Sequence, residues 1–320
     1  MPEDTALETA PSPLVRRLRV VDSSATLCPR CGAPIAPPSA LRSQRCPYCR
    51  VVLAPASGVW RPELREGEDV FGDPREPRFW LGGHRYALIG RLARGDSSDV
   101  FLARRDEALT ARVVVKVPRS AEAEKGLAHE EDVLSSLAAS NARGASHFTR
   151  LMPEPVAFGR ARLGANGREG QRVLAIRRWR PGFVHTLADV RRVHGARIDA
   201  AHAVWIWKRV IESLGFVHDS GWVHGAVDAS HLLVNARDHG VVLAGFTRAD
   251  RRGTADDLAV SARVVIALLD GTDVPAPLRQ LLSQIGAGAW TTGAWSLVER
   301  VSDVARQVFG PPKFVPLDMP

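Results

Sequence analysis

The sequence predicts an α+β protein in two parts: a small metal-bound module, then a larger domain with strands first and helices afterwards. Three observations predict it. All four cysteines of the 320-residue chain fall between residues 28 and 49. From Tyr86 to Pro118 apolar residues alternate with polar ones or run in a short β-branched stretch, and from residue 122 helical spacing dominates. Between the cysteines and Tyr86 lies "ASGVWRPELREGEDVFGDPREPRFW" (56–80), rich in Pro, Gly and charge.

Composition sets the limits. With 45% hydrophobic and 24% charged residues, the chain can bury a proper core. The apolar run "VVIALL" from Val264 is too short to span a bilayer. The acidic, Pro-rich "MPEDTALETAPSP" lacks the apolar stretch of a secretory signal. A cytoplasmic protein without membrane contact is therefore expected. The net charge of +8 is carried mostly by arginine and admits nucleic acid, an acidic protein or a membrane surface as partner. The basic runs at 16–19, 177–180 and 191–197 lack the regular aromatic interleaving that stacks bases. They are read as solvated surface.

The order of elements follows. Residues 1–24 form a tail. Residues 25–52 form a zinc ribbon: Cys28 and Cys31, then Cys46 and Cys49, are two C-x-x-C pairs, and four thiolates give the tetrahedral sulfur site that Zn²⁺ accepts. Gly32 follows the first pair, and Pro29 and Pro47 stiffen the knuckles. Four protein ligands leave no open position, so the zinc is structural. Arg30, Arg42, Arg45 and Arg50 surround the cysteines with no acidic residue between Cys28 and Cys49. That suits a protein face first, and nucleic acid second. A linker is expected over 53–80, the main domain over 81–310 and a C-terminal tail over 311–320.

Within the main domain, "YALIGRLARGDSSDVFLARR" predicts a hairpin and "ARVVVKVP" (111–118) a strand ending near Lys116. "EAEKGLAHEEDVLSSLAA" (122–139) predicts a helix, "RVLAIRRW" (172–179) a strand, and 199–221 a long helix with Val204, Trp207, Ile211 and Leu214 on one face and Gly221 as its stop. "GVVLAGF" predicts a further strand, followed by helices over roughly 255–270 and 276–308.

Taken in order over about 86–310, these stretches resemble the eukaryotic-type protein kinase fold in a bacterial form: a β-rich small lobe and a shortened helical large lobe. "YALIGRLARGDSSDVFLAR" resembles the glycine-rich hairpin, "VVVKV" the strand carrying the phosphate-binding lysine (Lys116), and Glu130 its helical partner. "VHGAVDASHLLV" resembles the catalytic loop and "VVLAGFT" the strand entering the metal-binding triplet, with Asp257 and Gly271 placed like the anchors of the next helix.

The resemblance also implies what is missing. Ala226 stands where the family has its catalytic Asp, His231 where it has its metal-binding Asn, and Gly245 where it has the triplet Asp. Losing a general base costs on the order of 10²–10⁴ in rate. Of the loop glycines only Gly95 remains, with Ala93 and Ser98 in the other places. Gly225 replaces the family's arginine, and only eleven residues separate Gly245 from Asp257, too few for the usual activation segment. The expected protein is thus a pseudokinase acting as scaffold or regulatory subunit. Lys116, Glu130 and Gly95 leave open an ATP site without normal Mg²⁺ ligands. A divergent ATP-dependent transferase using Asp228 as surrogate base, and a zinc-ribbon nucleic-acid binder, are the alternatives.

Overall fold

The first strands form two short hairpins of matching register. β1 (Thr26–Leu27) pairs antiparallel with β2 (Pro34–Ile35), Leu27 opposite Pro34. β3 (Gln44–Arg45) pairs with β4 (Val52–Ala56), Arg45 opposite Val52, and β4 also with β5 (Val59–Arg61). The computed structural model describes these strands and residues 78–106, 111–164, 166–194, 198–251, 255–314 and 317. Cys28, Cys31, Cys46 and Cys49 lie outside the described residues, as do the N-terminal tail and the end of the C-terminal one.

Gly82 and Gly83 have φ of 59° and 80°, the left-handed pair that a two-residue turn needs to match strand twist. They join β6 (Arg78–Leu81) to β7 (His84–Arg94). β8 (Ser98–Arg105) and β9 (Arg112–Pro118) follow, then helix α1 (Ala121–Ala138), a short helix α2 (Ala145–Phe148), β10 (Pro155–Leu163) and β11 (Gln171–Arg178). The strands close in the order β10-β11-β9-β8-β7-β6, with β6 returning to β10 through Arg162 opposite Trp80 and Leu163 opposite Phe79.

That closure corrects the expected architecture. A bilobal protein-kinase-like fold with a β-rich small lobe is not what forms; the chain makes a closed six-stranded antiparallel barrel with helices beside it. The strand responsible is β6, which falls inside the expected linker over 78–80, as do β5 and all of β4 but Val52. By pairing with β7 on one side and β10 on the other, β6 removes both free edges of the sheet.

Strand alternation divides the residues of the barrel. Phe79, Tyr86, Phe101, Val113, Val115, Val117, Leu174 and Ile176 fill its interior, and Phe79 stacks on Tyr86 with ring centroids 5.2 Å apart. Val114 and Lys116 on β9, and Ala175 and Arg177 on β11, therefore point to the other face, with Ala175 opposite Lys116 and Arg177 opposite Val114.

Helix α1 lies against that face. Ser120 caps it by accepting from the Ala123 N–H at 3.1 Å. Its Val133, Leu134 and Leu137 join a second, helical core. This core is built on α4 (Ala200–Asp219), α5 (Ala255–Leu268), α6 (Ala276–Gly286) and α7 (Ala294–Phe309), with α3 (Leu187–His194) preceding them. Asp199 caps α4 through the Ala201 N–H at 2.7 Å. On its buried face Trp207 donates to Ser261 at 3.0 Å. The single helix expected over 276–308 is two, because Gly288 and Gly293 adopt φ of 78° and 89° between them. A small sheet of β12 (His185–Thr186), β13 (Leu232–Asn235) and β14 (Gly240–Leu243) floors the gap between the two cores. Among the described residues, no helix is long and apolar enough to cross a membrane.

Candidate functional site

Between barrel and helices lies a cleft of about 1530 Å³, bordered by the β7–β8 turn, Lys116, α1 and the loop 223–231. At its wall Lys116 Nζ donates to Glu130 Oε2, joining β9 to α1. Glu130 is 1% exposed. Burial pushes its carboxyl up, but the charges of Lys116 and Arg177 and the Phe246 N–H, 3.4 Å from Oε1, outweigh this and hold it below its usual value. One residue along α1, Glu131 accepts from Arg177 Nη1. Two acid–base pairs thus stand side by side between barrel and helix.

The β7–β8 turn overhangs the cleft. Gly95 donates its N–H to Ser98 O at 2.9 Å, so this amide is committed within the turn. Arg119 donates to the carbonyls of Gly95, at 2.7 Å, and Asp96, and to Asp99 Oδ1 at 3.1 Å. The turn is tied to the end of β9.

The loop after α4 is organised from below by Asp257. Its carboxylate accepts from the N–H groups of His224 (2.7 Å) and Gly225 (2.9 Å), and from His218 Nε2 (2.9 Å). Burial pushes this carboxyl up, and those donors more than reverse it. His224 is fully buried. Its Nδ1 accepts from the Ala226 N–H at 3.2 Å, so the proton sits on Nε2, which donates to Ala244 O at 2.9 Å. Burial, only partly offset by Asp257, lowers its pKa to about 4. It is a neutral structural imidazole.

Ala226 presents no acid, and the space around Gly245 is taken. Gly245 has φ +85°, and a Cβ built there would lie 2.5 Å from His231 Cδ2. His231 is held in place by Nδ1 donating to Ala226 O at 2.7 Å and lying 3.1 Å from Asp228 Oδ2. Asp228 raises the pKa of His231, against the effect of burial. Asp228 itself accepts at Oδ1 from Ser230 N–H and Oγ, both at 2.6 Å, and from the His231 N–H at 3.2 Å. Burial favours its neutral form, yet His231 and Ser230 hold its carboxyl far below the ordinary range. A carboxylate so stabilised is a weak base. Among the described residues, no group of three or more His, Cys, Asp or Glu is placed to hold a metal ion.

The structure therefore brings Lys116, Glu130, Gly95, Ala226, Asp228, His231 and Gly245 to one cleft, and leaves the cysteines outside the described residues. Sequence reasoning missed Arg177. The signal was available: with Leu174 and Ile176 pointing inward, strand alternation puts Arg177 on the Lys116 face. Of the run 177–180, read as solvated surface, Arg177 is instead buried and paired with Glu131, whereas Arg178, whose Nε donates to Glu154 Oε1 at 2.7 Å, stays exposed. No protein-family model matches the chain, and no curated protein matches it.

Proposed function

We propose that this chain is a catalytically inactive scaffold or regulatory protein of the cytoplasm, whose cleft is lined like a protein kinase's phosphotransfer site but stripped of its chemistry. The observation that carries the reading is the packing of His231 against Gly245. Two positions that the resemblance assigns to metal ligands are an imidazole hydrogen-bonded to backbone and a glycine whose side-chain space that imidazole fills. Adding an aspartate at 245 alone would not rebuild a ligand set. The Lys116–Glu130 pair joins β9 to α1 without a ligand. It leaves room for a nucleotide held without a divalent metal.

The four cysteines fit a structural zinc. Hairpins β1–β2 and β3–β4 have equivalent registers, and the connection each one brackets begins with C-x-x-C. Cys28, Cys31, Cys46 and Cys49 would hold the ion, which would supply folding free energy and no reaction. The basic residues around them suit an acidic face on a protein partner.

Thermal unfolding of the zinc-loaded chain with ATP, with and without Mg²⁺, tests the reading. Any stabilisation by ATP is expected to be the same in both. A shift that requires Mg²⁺ contradicts the proposal, because it needs metal ligands that the cleft is proposed to lack.

A further inference from the structure

Arg177 is 3% exposed, and a buried guanidinium normally has every edge engaged. Here Nη1 is taken by Glu131 and the Ile176 carbonyl, whereas Nε and Nη2 have no hydrogen-bond partner among the described residues. These two nitrogens share one edge of the planar group, where their N–H bonds run parallel. That edge is the two-pronged donor which matches two oxygens of a carboxylate or phosphate. Arg177 borders the cleft, and so does Arg180, whose Nε is also buried with no hydrogen-bond partner among the described residues.

We infer that the free edge of Arg177 is an oxyanion-binding subsite of the cleft, accepting the carboxylate or phosphate group of a small ligand. The pair with Glu131 fixes the plane of the guanidinium and neutralises only part of its hydrogen-bonding capacity. Leaving two charged N–H groups buried and unpaired is costly, and a ligand supplying two acceptors removes that cost. Lys116 stands on the same face of the adjacent strand β9, diagonal to Arg177, with its own charge directed to Glu130. Phe183 and Trp179 border the same cleft and give apolar surface for the remainder of the ligand. The inference stands on the guanidinium geometry and does not depend on the chain being a scaffold.

The test is isothermal titration calorimetry of the full zinc-loaded chain with inorganic phosphate and, separately, acetate, at ionic strength matched with chloride. A saturable site for at least one oxyanion is expected, the stronger of the two naming the ligand's acidic group. Arg177→Lys keeps a cation beside Glu131 but has no fork, and its affinity should fall about tenfold or more. Absence of binding by both oxyanions, or equal binding by the variant, overturns the inference. Should Arg177→Lys fail to fold, the Nε–H resonance of Arg177 in the unsubstituted chain decides: it is expected to move on titration, and a resonance unmoved by either oxyanion overturns the inference.

Discussion

The buried imidazole of His224 makes the folded chain acid-sensitive in a defined window. Its pKa is lowered to about 4 in the folded state, against about 6.5 unfolded. Above about pH 6.5 neither state is protonated there, and its contribution is constant. As the pH falls from about 6.5 towards about 4, the unfolded chain takes up a proton that the folded chain refuses, so stability declines. At about 1.36 kcal/mol per pH unit the gap amounts to about 3 kcal/mol, of which about 2 kcal/mol is lost by pH 5. His231, with its pKa raised, acts in the other direction and above this window. Glu130 and Asp257, with lowered pKa values, act below it. Urea unfolding followed by tryptophan fluorescence at pH 7, 6 and 5, compared with His224→Gln, isolates the effect. Glutamine keeps a donor for Ala244 O and does not titrate. The unsubstituted chain should lose about 2 kcal/mol more than the variant between pH 7 and pH 5. Equal pH dependence of the two chains would refute the reasoning.

Three further outcomes are expected. Lys116→Met leaves the Glu130 carboxylate buried without its main partner and should cost about 3 kcal/mol or more in urea unfolding. Adding Glu130→Gln should recover part of that loss. Gly245→Ala should cost roughly 1–2 kcal/mol from its left-handed backbone, plus the clash with His231; in a His231→Ala background the second part should disappear, read as a non-additive double-mutant cycle. A strong chelator should release one zinc per ribbon from the proposed four-cysteine site, and Cys46→Ser should lower the zinc content of purified protein in elemental analysis.

Much of the cleft was legible because its residues sit on strongly patterned segments. "VVVKV" alternates so that Lys116 must leave the face that Val115 and Val117 fill, and Glu130 lies on a long, capped helix. The barrel was not legible, because its closing strands hide their period. β6 is four residues long and follows a Pro- and charge-rich stretch; its signal was the Gly82–Gly83 pair between two apolar stretches. β10 inverts the usual pattern. Val156 and Phe158 are exposed at 46% and 38%, while small Ala157 and Ala161 face inward, so over 156–161 the large apolar side chains mark the outer face. Pairing between β6 and β10 is also far along the chain, and local pattern carries no trace of it. Asp257 was recognised as an anchor by resemblance, but its hydrogen bonds to the His224 and Gly225 amides depend on the loop's fold. The free edge of Arg177 depends on which rotamer meets Glu131.

The central claim is that the cleft binds without reacting. Its most direct measurement is phosphate release from ATP by the full zinc-loaded chain in Mg²⁺ or Mn²⁺, alongside Asp228→Ala. The account predicts no release above buffer from either protein. Metal-dependent turnover by the unsubstituted chain that Asp228→Ala abolishes would contradict it, and would make Asp228 a working base despite its strongly lowered pKa.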